Sequence, residues 1–232
     1  MIDPDKVKEF WEGRAELYSK IALESVANLE HDPENLRLKV DEETNKVFSW
    51  LPDIAGKSVL DLGAGVGQWS FRFAERGARR VLAVEYTRGL VDIGRAEATE
   101  RGMDQVEFIV SSAEQFCTTE QFDLVFISGL FVYLNDDQFS DLLGKLNNYV
   151  SHNGMLMLRD GVGVLRRHEI NDCYSEHLES NYSAIYRTAD EFISAFDASG
   201  FTCVKAENMF PEGHLLNKYP ETRLRLFTFR KT

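Results

Sequence analysis

The spacing of hydrophobic and polar positions changes at about residue 57 of this 232-residue chain. Before that point the period is helical. Phe10, Leu17 and Ile21 fall on one stripe of a helix predicted over residues 6–28. Asp32-Pro33 supplies an N-cap and a first-turn proline to a second helix that runs to about Trp50. From Lys57 onward, short apolar runs alternate with amphipathic stretches. The pattern predicts strands at 57–63, 80–86, 105–110, 121–128, 153–160, 200–209 and 223–230, and helices at 67–77, 88–102, 136–150 and 188–199. Short apolar strands separated by helices form a mainly parallel sheet covered on both faces. The last two strands have no helix between them, so the final strand is expected to return antiparallel. The whole chain, 1–232, reads as one α/β domain with a helical lid at 1–52. Residues 161–187 fit no predicted element. A segment that long inside a domain is functional or mobile, and it is assigned as an insertion on the substrate side.

Composition narrows the picture. The chain is 44% hydrophobic and 28% charged, within the range of globular proteins. Its net charge of −12 is spread over both halves, and such a surface repels a phosphate backbone, so no nucleic-acid partner is expected. Cys117, Cys173 and Cys203 are far apart and in no metal-ligand spacing, which reads as reduced thiols. The start, MIDPDKVKEFW, lacks the apolar centre of a signal peptide, and the longest apolar stretch, Phe122 to Leu134, contains Asp123 and is too short to span a bilayer. A cytoplasmic protein without a membrane span is expected. The pattern does not set an oligomeric state.

The chemistry starts at VLDLGAGVG, Val59 to Gly67, where a strand runs into three alternate glycines and then a helix. This is the opening of a nucleotide-binding βαβ unit in a doubly wound, Rossmann-like sheet. A dinucleotide fingerprint needs G-x-G-x-x-G, but Gln68 occupies the place of the third glycine. Glu85 closes the second strand 22 residues after Gly63, suited to accept hydrogen bonds from a ribose diol. That feature serves NAD and S-adenosylmethionine equally. Asp61 lies inside the first strand, and SSAEQF, Ser111 to Phe116, follows the third, where backbone and side-chain groups can read an adenine edge.

DLGAGVG, the Glu85 strand end, SSAEQF and FDLVFISGLFVYL together resemble the class I S-adenosylmethionine-dependent methyltransferases, in the family's order, over residues 57–160. The resemblance implies a cofactor site. Gly63, Ala64 and Gly65 would lie against the methionine part, and Glu85, beside Tyr86, would hold the ribose. Ala113 and Glu114 would flank adenine, Ser128 with Gly129 would line the floor near the sulfonium, and Asp61 would be a further cofactor-binding residue. The N-terminal helices would cover it. Trp11, Arg14 and Tyr18 share one helical face, where an aromatic ring favours a sulfonium and an arginine meets a carboxylate; alternatively, the rings simply pack on the sheet. An NAD-dependent oxidoreductase stays open only through Glu85 and the partial glycine pattern. A noncatalytic binding subunit is disfavoured by the intact motifs.

The acceptor is less defined. ISGLFVYL lacks the Pro-Pro pair of the nucleobase amino-methylases, and no clustered carboxylates suggest a metal, so neither is expected. Arg159 and Asp160 end an apolar strand at the sheet edge where ligands bind. The LRD ending resembles phosphobase methyltransferases, which carry an aspartate there close to their substrate. LRDGVG with NYSAIYRTADEF is similar to uncharacterised bacterial methyltransferases associated with surface-glycan and small-metabolite loci. Asp160 and His168 are the candidate proton acceptors, with His177 next. In a structural reading Arg159 or Arg187 would pair with Asp160 instead. Arg166 and Arg167 would suit an acceptor carrying a carboxylate or phosphate. The combined reading is a methyltransferase for a small polar acceptor. It places O-methylation of a sugar or hydroxy acid ahead of N-methylation of a small amine or phosphobase.

Overall fold

A computed structural model describes residues 1–18, 21, 23–176 and 178–232. Three helices open the chain: α1 (Pro4–Glu16), α2 (Leu23–Asn28) and α3 (Pro33–Trp50). The α/β region follows as β1 (Ser58–Leu62), α4 (Gln68–Glu75), β2 (Arg80–Glu85), α5 (Arg88–Glu100), β3 (Val106–Val110) and β4 (Phe122–Ser128). After a 3₁₀ turn at Phe131–Tyr133 come α6 (Asp136–Tyr149), β5 (Val150–Gly163), β6 (His168–Ser175), β7 (Ser180–Tyr186), α7 (Ala189–Ala198), β8 (Phe201–Asn208) and β9 (Thr222–Lys231).

Seven strands form one sheet in the order β3-β2-β1-β4-β5-β9-β8. Strands β1 to β5 are parallel where they adjoin, and β9 inserts antiparallel between β5 and β8. The expected last antiparallel strand is therefore present, and it lies inside the sheet. Alternate residues of each central strand feed two cores. Leu60, Leu62 and Val125 face α6 and α7 through Leu142, Leu146, Phe192 and Phe196. Val59, Val81 and Phe126 face the other way, toward Val47, Phe73 and Val91. Val47 belongs to α3, so that helix is part of the covering layer of the sheet as well as of the predicted lid. Its N-terminus follows the sequence pattern: the Asp32 carboxylate accepts the Asn35 amide at 2.8 Å. Among the described residues no helix is long and apolar enough to cross a membrane.

Two elements differ from expectation. The helix predicted over 6–28 is divided into α1 and α2, and Leu17, placed on its apolar stripe, is exposed. The two helices pack in different places. Val26 is buried against Val66 and Leu90, while Val7 packs beside Ile2 and Ile185 at another part of the molecule. Arg14 ties α1 to α2, donating to the carbonyls of Ser25 at 2.5 Å and Val26 at 3.2 Å near the C-terminal end of α2, where carbonyls lack helical partners. The second difference is the segment 161–187. It continues β5 to Gly163 and then forms a separate two-stranded antiparallel hairpin, β6–β7, with a bulge between Ile170 and Cys173. Gly161 allows the Tyr186 ring to lie directly on β5, since a Cβ there would stand 2.7 Å from that ring.

Gly67 shows how tightly the first turn is packed. It precedes α4 at φ 83°, in the left-handed region, and a Cβ would meet Phe108 at 2.4 Å. Gly67→Ala therefore combines backbone strain with overpacking and should lower stability by about 2–4 kcal/mol. Urea unfolding measures this; a loss under about 0.5 kcal/mol, the range of an ordinary surface change, would show that the turn relaxes freely.

Candidate active site

A cavity of about 580 Å³ opens along the carboxyl ends of the parallel strands, where successive βα loops converge. Gly63, Ala64 and Gly65 follow β1, Glu85 and Tyr86 close β2, and Ala113 and Glu114 follow β3; all line it. Asp61, Ser128, Gly129 and Asp160 line it from within or just beyond β1, β4 and β5. Trp11 of α1 and His168 at the start of β6 contribute the far wall. Arg14 and Tyr18 do not reach the cavity. Arg14 spends its guanidinium on α2, and the Tyr18 hydroxyl donates to Glu97 on α5 at 2.7 Å. The Cβ direction that groups Trp11 with these two on a helical wheel leaves only the tryptophan facing inward.

Three buried carboxylates organise the wall. Glu85 accepts the Gly65 amide on Oε2 at 3.1 Å and the Thr87 amide on Oε1 at 2.8 Å. Burial pushes its pKa up, opposed by these hydrogen bonds. Asp61 accepts the Ser70 hydroxyl at 2.7 Å, and burial pushes its pKa up to about 7. Asp160, with no exposed surface, accepts the Phe131 amide on Oδ2 and the Gly161 amide on Oδ1, both at 2.8 Å. Burial raises its pKa to about 6.

The partners expected for Asp160 are thus replaced. Arg159 instead pairs with Glu43 of α3, Nη2 lying 2.6 Å from each carboxylate oxygen, and Nη1 donates to Ser128 Oγ at 3.0 Å. Arg187 donates to the carbonyls of Phe131 and Leu134, both at 2.9 Å, and to Asp136. The arginines of the 161–187 segment also lie elsewhere: Arg166 is exposed, and Arg167 is held by Asp136 and Glu169. Neither lines the cavity. The segment presents tyrosines instead. The hydroxyls of Tyr133, Tyr182 and Tyr186 form a row, 3.1 Å and then 3.4 Å apart, on the cavity wall. Burial raises all three phenol pKa values, and the nearby charge of Asp160 adds to the rise. His168 stands opposite Tyr186 in the hairpin, their rings 6.0 Å apart. His177 lies outside the described residues.

Tyr133 and Lys39 are cavity residues that the sequence pattern did not single out. Tyr133 was hidden in an apolar run, where an aromatic residue reads as core. Lys39 is a polar position of an amphipathic helix, which no local signal separates from a solvated one.

The sequence and the fold have counterparts in known proteins. Residues 59–154 match the family model for a methyltransferase domain. Phosphoethanolamine N-methyltransferase 3 of Arabidopsis thaliana is 29% identical over 122 residues, covering 51% of this chain and 24% of that protein. The chain thus spans about a quarter of the length of that curated relative. Phosphoethanolamine N-methyltransferase 1 of Haemonchus contortus, solved with phosphoethanolamine and S-adenosylhomocysteine, superimposes with a TM-score of 0.75 at 17% identity. That match covers 100% of this chain and 50% of the other. An S-adenosylmethionine-dependent methyltransferase structure from Listeria monocytogenes gives a TM-score of 0.67 at 18% identity, over 83% and 99% of the two chains. The matched segment, residues 59–154, carries the glycine turn and the strand-end glutamate, and the comparisons as a whole support a class I S-adenosylmethionine-dependent methyltransferase.

Proposed function

We propose that this protein transfers a methyl group from S-adenosylmethionine to the nitrogen of a small amine. The observation that carries the reading is the continuity of one cavity: its glycine-turn half runs without interruption into a half walled by Tyr133, Tyr182, Tyr186 and the buried Asp160. The names of the relatives support nitrogen as the acceptor atom. O-methylation of a sugar or hydroxy acid, expected first from sequence, finds no such support and takes second place. The same comparisons favour a methyltransferase over a nicotinamide oxidoreductase.

The residues present fit the cofactor. Each oxygen of Glu85 has one backbone amide and keeps a lone pair for a ribose hydroxyl. Ser112 Oγ, on the cavity wall beside Ala113, is buried with no hydrogen-bond partner among the described residues and can read a base edge. When bound, S-adenosylmethionine supplies an already activated methyl group. The chain's own task is to align the acceptor nitrogen, exclude water and take its proton. The tyrosine rings and Trp11 provide π faces for an ammonium. Asp160 provides the opposing charge, and as a carboxylate with pKa near 6 it is mostly ionised at neutral pH and able to accept a proton. His168, which also lines the cavity, is the second proton acceptor.

The direct test is a screen of small amines, phosphoethanolamine among them, with S-adenosylhomocysteine release and product mass as readouts. A mass gain on nitrogen is expected; gain only on hydroxyl acceptors would reverse the order of the two readings.

Glu85→Ala should weaken S-adenosylhomocysteine binding by about 2–3 kcal/mol, because charge-assisted hydrogen bonds to the ribose are lost. Calorimetric titration measures it, and an affinity equal to the parent's would remove Glu85 from the cofactor site. Asp160→Asn should leave that affinity unchanged yet lower turnover on the order of 10²-fold. The pH profile separates charge from shape. Asp160 loses its capacity to accept a proton as the pH falls through about 6, so the parent's rate should fall there and the variant should lack that limb. A limb that persists in the variant would pass the role to another group, Asp61 first.

A further inference from the structure

Arg14 was the cation expected for the carboxylate of the cofactor's amino-acid end, and it faces away. Among the described residues four other cations line the cavity: Lys39, Arg159, Lys218 and Arg223. Three are already matched with carboxylates. Arg159 holds Glu43, Lys218 Nζ lies 2.6 Å from Glu30, and Arg223 lies 2.7 Å from Glu212 while also donating to the Tyr219 carbonyl. Lys39 differs. Its ammonium donates to the Asn28 carbonyl at 2.9 Å, and no carboxylate of the described residues lies within 4.0 Å of it. An ammonium has three donors, so two remain.

Its position follows from its neighbours. Asn28, whose carbonyl it holds, donates through its side chain to Gln68 at the start of α4 at 2.9 Å. Ala27, one residue earlier, packs on the glycine turn, 3.5 Å from where a Cβ of Gly65 would be. The amide of Gly65 in turn donates to Glu85. One short turn therefore connects the carboxylate suited to a ribose diol with the ammonium that has donors to spare. A ligand with a diol and a free carboxylate on opposite sides of a sulfur centre complements both groups: its hydroxyls can donate to Glu85, and its carboxylate has the charge opposite to that of Lys39. The cation is also under-compensated: burial holds the Lys39 pKa below its usual value, and Arg159 and Lys218 add repulsion that Glu43 and Glu30 oppose.

We propose that Lys39 receives the carboxylate of the cofactor's amino-acid end, in the role the sequence pattern assigned to Arg14. The proposal rests on the cofactor reading above, and its test separates the two. S-adenosylhomocysteine and 5′-methylthioadenosine share the nucleoside and the thioether, but only the first has the amino-acid end. Calorimetric titration of both ligands compares the parent with Lys39→Met and Lys39→Gln, the second keeping a donor for the Asn28 carbonyl should the first fail to fold. Loss of the charge should weaken S-adenosylhomocysteine on the order of 10- to 100-fold, the range of a hydrogen bond to a charged group, and leave 5′-methylthioadenosine within about twofold. Unchanged affinity for S-adenosylhomocysteine would overturn the assignment. Equal weakening of both ligands would overturn it too, making Lys39 a support for the α2 wall. A parent that binds neither ligand would instead bring down the cofactor reading, and this inference with it.

Discussion

Carboxylates buried at the carboxyl edge of the sheet are the constraint on which the site depends. Asp61, Glu85 and Asp160 stand in neighbouring or nearby strands, and desolvation raises the pKa of each. A buried carboxylate is tolerated only where donors reach it. Here the donors come from the loops and the elements that border them: the hydroxyl of Ser70 in α4, the amides of Gly65 and Thr87, and those of Phe131 and of Gly161 in β5. Satisfying the carboxylates therefore also positions the loops that wall the cavity. Most of these donors are main-chain groups, so the arrangement depends on the backbone path rather than on particular side chains. The glycine turn is the clearest case, because Gly65 adopts φ 57° while presenting its amide to Glu85.

Much of this was legible from residue pattern alone. Each strand of the seven-stranded sheet alternates or runs apolar strongly enough to be placed, and the antiparallel return of β9 followed from a missing helix. The glycine turn, Glu85, Ala113 and Ser128 were legible as cavity residues because each lies within a few residues of the carboxyl end of a strand that the pattern places. What stayed hidden depends on contacts distant in sequence. Arg14 looked like a ligand group because a helical wheel sets it beside Trp11. It donates instead to the carbonyls of Ser25 and Val26, in a helix whose place is set by the tertiary burial of Val26 against Val66 and Leu90. The hairpin β6–β7 was also hidden. Its first strand, HEINDCYS, is mostly polar, and the hairpin carries a bulge and residues at positive φ, Asp172 and Glu179. Arg159 was read as a possible mate of its neighbour Asp160, yet successive strand residues point to opposite faces. It therefore meets Glu43 of α3 instead.

The loop between β4 and α6 joins the floor of the cavity to its roof. Asp160 holds the Phe131 amide from the sheet side, while Arg187, at the end of β7, takes the carbonyls of Phe131 and Leu134. The next residue, Asn135, exchanges two hydrogen bonds with the backbone of Ile2, its Oδ1 accepting the amide and its Nδ2 donating to the carbonyl, each at 2.9 Å. Ile2 and Val7 pack on Ile185 of the hairpin, and Trp11 stands edge-on to Tyr133 at 5.4 Å. Lys6 forms an ion pair with Asp172 of β6 across the same junction. Helix α1 and the hairpin are thus fastened to each other and to one loop, and that loop is fastened to Asp160. A cover attached in this way shares its anchoring point with the wall that is proposed to receive the acceptor. Its position over the cavity and the placement of Tyr133 are set by the same few hydrogen bonds, so the roof cannot shift far without moving the tyrosine row beneath it.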